Sequence, residues 1–510
     1  MEQPSLNLLG SRLADMLSAA SEQQRLLDGT DGQSQQTLHV SETGAILTHA
    51  YEQLRNAAEY TEDHLLLTHA IRRFYSRIFI ARNETFVGQS GEDLITELTL
   101  AGYLKNDTVP VHVVHAIDNL AKEYYTAHDN IKKDAWTLDV LAVNVEQLLS
   151  SDLKRRVFSQ FAYEYFLDIA DKSRIDDQQF EVALFAAVQR ALLKSDNATI
   201  RALILVRYEQ APSLRGYEQT NIMIDRVLDL KLTDKLARFV RRHGAPLKVL
   251  RQMIYDENDT NNLLRSKDKF LSAYAEQVED AYRQINTVIN SAIVKSVIFL
   301  LITKAIIGVL IEVPYDYIAY GAILWIPLIV NLLFPPIYMV VLRGTLRLPG
   351  SSNTASMLRR IEEILYSKQQ SQYTIGTTAK RYNSVFNVLY GIFFVLIFGG
   401  VSWLLMSMGF SIPALVIFFV FLSTASFLGF RLWLQVRELE LVGSDQNGVS
   451  IIRDFLYIPF AAVGRWMSEK YAKINLVAMV LDMVIELPLK TILYLVRQWV
   501  AFIAAKKDEL

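Results

Sequence analysis

A lysine, a glutamate and an asparagine stand inside the most apolar part of this 510-residue chain, at Lys304, Glu312 and Asn331. A lysine at the centre of a bilayer costs about 2.5–3.5 kcal/mol on insertion scales, so its position demands a reason. Three readings are open. Lys304 snorkels to the membrane surface, or it pairs with Glu312 two turns later, or it lines a polar path together with Asn331. The third is the chemistry of transporters, which bind solutes where helices unwind beside buried polar groups. Pro327, Pro335 and Pro336 supply residues expected to bend or break the helix that follows.

A second set is basic: Lys231, Lys235, Arg238, Arg241, Arg242, Lys248 and Arg251, read as one helix with Leu230, Leu232, Leu236, Phe239 and Val240 on its other side. Each basic residue near an anionic leaflet contributes about 1 kcal/mol. Docking on a lipid surface and an ordinary solvated face account for the pattern equally well.

The remaining motifs read as background. His112 and His115 lie three apart with Asp118 a turn on, but two histidines need further ligands to hold a metal. The run Asp256–Asn261 resembles a calcium loop without its glycine, and Lys267 stands where the bidentate acid belongs; it reads as a linker. Asn-x-Thr sequons occur at Asn83, Asn106, Asn197 and Asn258. The final Lys507-Asp508-Glu509-Leu510 matches an endoplasmic-reticulum retrieval address read by a lumenal receptor. Without a signal peptide it reads as a chance ending. The chain has no cysteine, which removes thiolate chemistry and disulfides. No phosphate loop, nucleophile elbow, zinc-protease pair or kinase signature is present, so no catalytic residue, metal ligand or cofactor is expected.

The elements that carry these residues follow from hydropathy. Residues 1–290 hold 33 Lys+Arg against 41 Asp+Glu, and residues 291–510 hold 19 against 13. An acidic half precedes a basic, apolar one, and neither has the dense positive field of a nucleic-acid binder. Tyr382 to Phe430 is 49 residues without a charge, enough for two spans of roughly 20 residues each; these are expected at 385–407 and 412–431. Residues 292–313 and 317–342 form an earlier pair, with a turn expected at Glu312–Asp316. The segment between the pairs, 343–383, is a basic loop with seven Lys/Arg; the expected tips, 313–319 and 407–412, have none. Positive loops stay in the cytoplasm, which predicts cytoplasmic N- and C-termini and two small external tips.

Residues 1–255 show helical periodicity throughout, with Ser90–Asp93 as a capping box, and a linker follows from Asp256. Leu271, Tyr274, Val278, Ala281, Ile285, Val288 and Ala292 make three heptads of apolar seam running into the first span as a stalk. The seam packs on a helix of the same domain or on a second copy. Residues 450–510 alternate apolar stretches with charges and with Trp466, Tyr471, Tyr494 and Trp499, the pattern of amphipathic helices in the headgroup plane; a re-entrant dip over 474–487 is the alternative.

The tail, from Asp454-Phe-Leu-Tyr-Ile-Pro459 through Val463-Gly-Arg-Trp466, Lys473-Ile-Asn475, Leu481-Asp482 and Ile485-Glu486 to the closing Lys-Lys-Asp-Glu, resembles an uncharacterised family of multi-pass membrane proteins from candidate-phyla-radiation (Patescibacteria-like) bacteria. The resemblance covers about 60 residues. It implies a bacterial cytoplasmic membrane and brings no activity.

The fold class expected is therefore an all-α polytopic membrane protein: four spans as two hairpins, a large N-terminal helical domain, and interfacial helices at the end. The expected role is non-enzymatic, with the bilayer and a protein partner or a second copy as partners. A transporter or channel using the first hairpin is the alternative.

Overall fold

A computed structural model of the chain describes residues 6–30, 36–41, 45–58, 63–81, 87, 89–126, 131–150, 152–170, 177–256, 260–346, 348–367, 372–373, 384–441, 458–467 and 499. The described residues are helical, without named strands, and fall into two compact units.

Residues Asn7–Val240 form the core of one unit. It contains α1 (Leu8–Thr30), α2 (Ala45–Ala58), α3 (Leu66–Ala81), α4 (Gly91–Leu100), α5 (Val111–Thr126), α6 (Ile131–Leu149), α7 (Leu153–Ile169), α8 (Asp177–Leu192), α9 (Asn197–Arg207), α10 (Tyr217–Asp229) and most of α11 (Lys231–His243). Helix starts are set by local chemistry. Asp152 accepts the Arg155 backbone N–H at 2.8 Å and Asp196 accepts that of Thr199 at 2.9 Å, each satisfying a donor that the first turn leaves without a partner. Ser90 stands at the start of α4, but its hydroxyl donates to the Val87 carbonyl at 2.7 Å, so the expected capping box does not form. Phe158, Phe161, Phe166, Phe180 and Tyr165 are buried at the centre.

The second unit is built from Arg241–Gln369 and Gly376–Ile474. Its axis is α14 (Lys267–Ile307), which continues through a π-helical turn, Gly308–Glu312, into α15 (Val313–Tyr320). No break interrupts these 54 residues. On the first half of this rod lie α12 (Ala245–Asp256), α13 (Thr260–Leu264) and α17 (Ser351–Tyr366). Buried polar groups fix them. Tyr274 donates to the Pro246 carbonyl at 2.9 Å, Tyr366 to that of Leu264 at 2.8 Å, and Asn353 donates to the Tyr282 hydroxyl at 2.7 Å and to the Leu439 carbonyl at 2.9 Å. The stalk seam thus packs on helices of its own chain. Tyr274, Val278 and Ala281 are buried there, while Val288 is exposed.

The second half of the rod packs against α16 (Trp325–Thr345) and α19 (Ile412–Arg437), and α18 (Ser384–Ser407) lies beside α19. Among the described residues, four helices are long and apolar enough to cross a membrane: the rod, α16, α18 and α19. Arg343 closes α16, donating to Asn286 at 2.6 Å and Asn290 at 2.7 Å on the rod. Tyr315, Tyr317, Tyr320 and Trp325 are exposed around the other end, as in an interfacial aromatic belt.

Further expectations need correction. The first hairpin does not turn at Glu312–Asp316: Pro314 sits in the first turn of α15, where proline is tolerated. The chain reverses at Gly321, whose φ of 70° suits a residue without a side chain. Pro335 and Pro336 lie inside α16 without ending it. The 343–383 loop holds a full helix, α17, whose Met357, Ile361 and Leu365 are buried. Within the tail, only 458–467 (α20) and Trp499 are described. That helix packs on the apolar bundle: Phe460 and Ala461 are buried, the Phe460 ring lies 4.7 Å from Phe398 and 6.2 Å from Phe419, and Gly464 abuts the Ser423 backbone midway along α19. The expected re-entrant dip falls outside the described residues.

Candidate functional site

Lys304 lies nine residues beyond exposed Lys295, roughly 14 Å along the rod, about half of the ~30 Å that a span must cover. Its side chain is 1% exposed, which removes the snorkelling reading. Lys304 Nζ donates to Glu312 Oε1 at 2.8 Å. The same oxygen accepts Asn331 Nδ2 at 2.8 Å, and Nδ2 also donates to the Ala414 carbonyl at 3.1 Å. The face of Phe421 closes the site 4.9 Å from the ammonium. The three residues singled out in the sequence therefore meet, and they join the rod, α16 and α19.

The π turn accounts for how Lys304 and Glu312 meet. Eight residues of α-helix advance about 800°, leaving Glu312 about 80° round from Lys304. The Val313 N–H instead reaches back to the Gly308 carbonyl, an i→i+5 bond. Each π residue advances only about 82°, so the eight steps come to about 710° and return Glu312 to the Lys304 face. Asp316, one turn on, is buried close to that face, and its Oδ2 accepts the Leu324 N–H at 3.3 Å.

The arrangement holds two charges of opposite sign in one buried contact and shares one carboxylate oxygen between two donors. It also leaves acceptors over: Asn331 Oδ1, Asp316 Oδ1 and Ser423 Oγ are buried without a hydrogen-bond partner. Toward the Arg343 end, Ser426 donates to the Tyr338 hydroxyl at 3.0 Å. Sequence reasoning missed Asp316, which resembles a turn residue; its i, i+4 spacing from Glu312 was the available signal. Phe421 and Ala414 carried none.

The basic set is not one helix. Gly244 divides it between α11 and α12, and the two compact units divide at Val240 and Arg241. Lys248 is committed to Glu438 at 2.7 Å. Lys231, Arg238, Arg241 and Arg242 are exposed; Lys235 and Arg251 are half-buried. His243, beside them, is held near pKa 4 by burial and by Arg360 and Arg242.

His112 and His115 are exposed, and Asp118 accepts the Gly91 N–H at 2.8 Å. No cluster that could hold a metal ion occurs among the described residues. Asn106 is tied to the Val40 backbone and Asn197 to Arg190. Asn83, Asn258 and the terminal tetrapeptide lie outside the described residues. Comparison with known protein families, curated proteins and solved structures finds no match for this chain.

Proposed function

We propose that this is a membrane-anchored scaffold: the N-terminal helices face the cytoplasm and act by binding a partner, and the membrane helices hold them in place. The observation that carries this is the unbroken Lys267–Tyr320 rod, one half packed under α12, α13 and α17 and the other forming the centre of the apolar bundle. A helix packed along both of its halves leaves little room for the helix rearrangement that transport requires. In this reading the Lys304–Glu312–Asn331 contact is an interhelical clamp, since polar side chains bond across helices in membranes. The tail resemblance adds a bacterial cytoplasmic membrane as the setting.

The second reading is an ion or solute path through the first hairpin. The unpartnered acceptors on Asn331 and Asp316 favour it. One experiment separates the two. The full-length chain carries a photocrosslinking residue at Ile46, Ile80 or Leu148, all exposed, with and without the paired change Lys304→Leu and Glu312→Leu. A scaffold gives discrete crosslinked species in cells that survive the paired change, and proteoliposomes that pass protons, sodium and potassium no faster than empty ones. Flux that the paired change abolishes, with no crosslinked species, establishes the path instead.

A further inference from the structure

A cavity of about 320 Å³ opens within the Asn7–Val240 unit, walled by α6, α7, α8 and α9. Val143, Phe185, Leu193 and Leu203 make its apolar part, and Arg155, Arg156 and Arg207 reach it from α7 and α9. A hydrogen-bond chain runs behind one wall. Arg155 Nη2 donates to Ser195 Oγ at 3.0 Å, Ser195 Oγ to Gln189 Oε1 at 3.0 Å, and Gln189 Nε2 to Ser159 Oγ at 2.5 Å. Gln189 is fully buried, so this wall is preformed.

The arginines are short of partners. Arg156 donates to Gln147 Oε1 at 2.8 Å, and Arg207 donates to the Tyr163 hydroxyl at 3.3 Å with its guanidinium 4.6 Å above that ring. None of the three forms an ion pair among the described residues. Each guanidinium carries five N–H donors in a planar fork, so most of those donors are free. Asp152, which also lines the cavity, accepts the Arg155 backbone N–H at 2.8 Å.

We propose that this cavity binds a small molecule with an anionic head, carboxylate or phosphate, on an apolar body. Apolar walls with a few convergent polar groups are how small-molecule sites are built, and the guanidinium fork matches both head groups in two-point contact. Glu146 on α6 makes the site pH-sensitive. Burial raises its carboxyl to about 7. The charged groups around it are Arg155, Arg156 and Asp152 at α7 and Asp196 ahead of α9, the last paired with His69 of α3 at 3.4 Å; α9 also brings Arg207 to the cavity. Protonation of Glu146 removes a negative charge from the wall, so anion affinity rises as pH falls through about 7.

The test uses the full-length chain in lipid nanodiscs, with ligand saturation-transfer NMR referenced to empty nanodiscs. The probes are phenylacetate, phenyl phosphate and neutral benzyl alcohol. At least one anion binds tenfold or more tightly than the alcohol, and which one binds tells a carboxylate site from a phosphate site. Val143→Trp, filling the cavity, abolishes binding. Arg155→Gln weakens anion binding tenfold or more; Arg156→Gln, at an exposed position, weakens it even where loss of Arg155 disturbs the wall behind. Glu146→Gln removes the pH dependence. No binding of either anion, equal binding of the alcohol, or anion binding that survives Val143→Trp overturns the assignment.

Discussion

Lys304 Nζ and Glu312 Oε1 lie 2.8 Å apart on one continuous helix, eight residues from each other and both buried. Removing one partner of such a pair strands a charge, at a cost of roughly 3–5 kcal/mol, whereas replacing both with apolar residues is often neutral. Lys304→Leu and Glu312→Leu are each expected to lower the thermal midpoint of the detergent-solubilised chain strongly, and the paired change to restore most of the loss. Single variants no worse than the pair would show that the contact contributes little.

The π turn behaves as one residue inserted into an α-helix. Deleting exposed Leu310 lets the turn revert to α-helix and leaves Lys304 and Glu312 seven apart, about 20° short of two full turns. The pair re-forms and the midpoint stays close to native. Deleting exposed Ile302, in regular helix, disturbs the core that Leu300 and Ile293 share with Met339 and Ala425, because it swings them about 100° relative to the polar pair. The bundle is then lost. Equal damage from the two deletions would show that the π turn is not such an insertion.

The spans were legible because a long uncharged apolar run has little use outside a membrane: Ser384–Ser407 and Ile412–Arg437 stand where the composition put them. The polar contact was legible for the converse reason, that a lysine among apolar residues needs a partner. The hairpin turn was misplaced because Pro314 between two acids resembles a loop, although proline at a helix start is tolerated. The π turn leaves no mark in composition. The cavity arginines are spread from Arg155 to Arg207, and only the packing of α7 against α8 and of α9 against α6 brings them to one cavity.

His243 gives the second unit a pH dependence. Its ordinary value of 6.5 is lowered to about 4, first by burial and then by Arg360 and Arg242. Between those values the unfolded chain takes up a proton that the folded chain refuses, so stability is lost as pH falls from about 6.5 to about 4. The thermal midpoint of the full chain should drop across that window, and His243→Gln should flatten the drop. An unchanged slope in the variant would assign the effect to other groups.

Gly464 sets how closely α20 approaches α19, because a Cβ there meets the Ser423 carbonyl oxygen and the Phe427 side chain. In a chain without native cysteine, cysteines replacing Phe398 and Phe460 should join through a short bis-maleimide, detected by mass spectrometry. Adding Gly464→Leu should abolish the link. A link that persists would mean that α20 docks without needing this close approach.

The absence of cysteine also makes topology directly measurable. Ala322 and Met408 lie exposed at the two hairpin turns, and Ser351 lies exposed at the start of α17. The Lys/Arg of 343–383, set against none at Gly321–Leu324 or Met408–Ser411, predict turns outside and α17 inside. A membrane-impermeant maleimide added to intact cells should label Ala322→Cys and Met408→Cys at once, and Ser351→Cys only after permeabilisation. The first hairpin is the sensitive part, since Lys304 and Glu312 must enter the hydrocarbon as a pair for the rod to cross. In the single variant Glu312→Leu the lysine enters alone, and labelling at Ala322 should fall while labelling at Met408 holds. Labelling of Ser351→Cys in intact cells, with Ala322→Cys protected, would invert the first hairpin and with it the placement of the N-terminal helices.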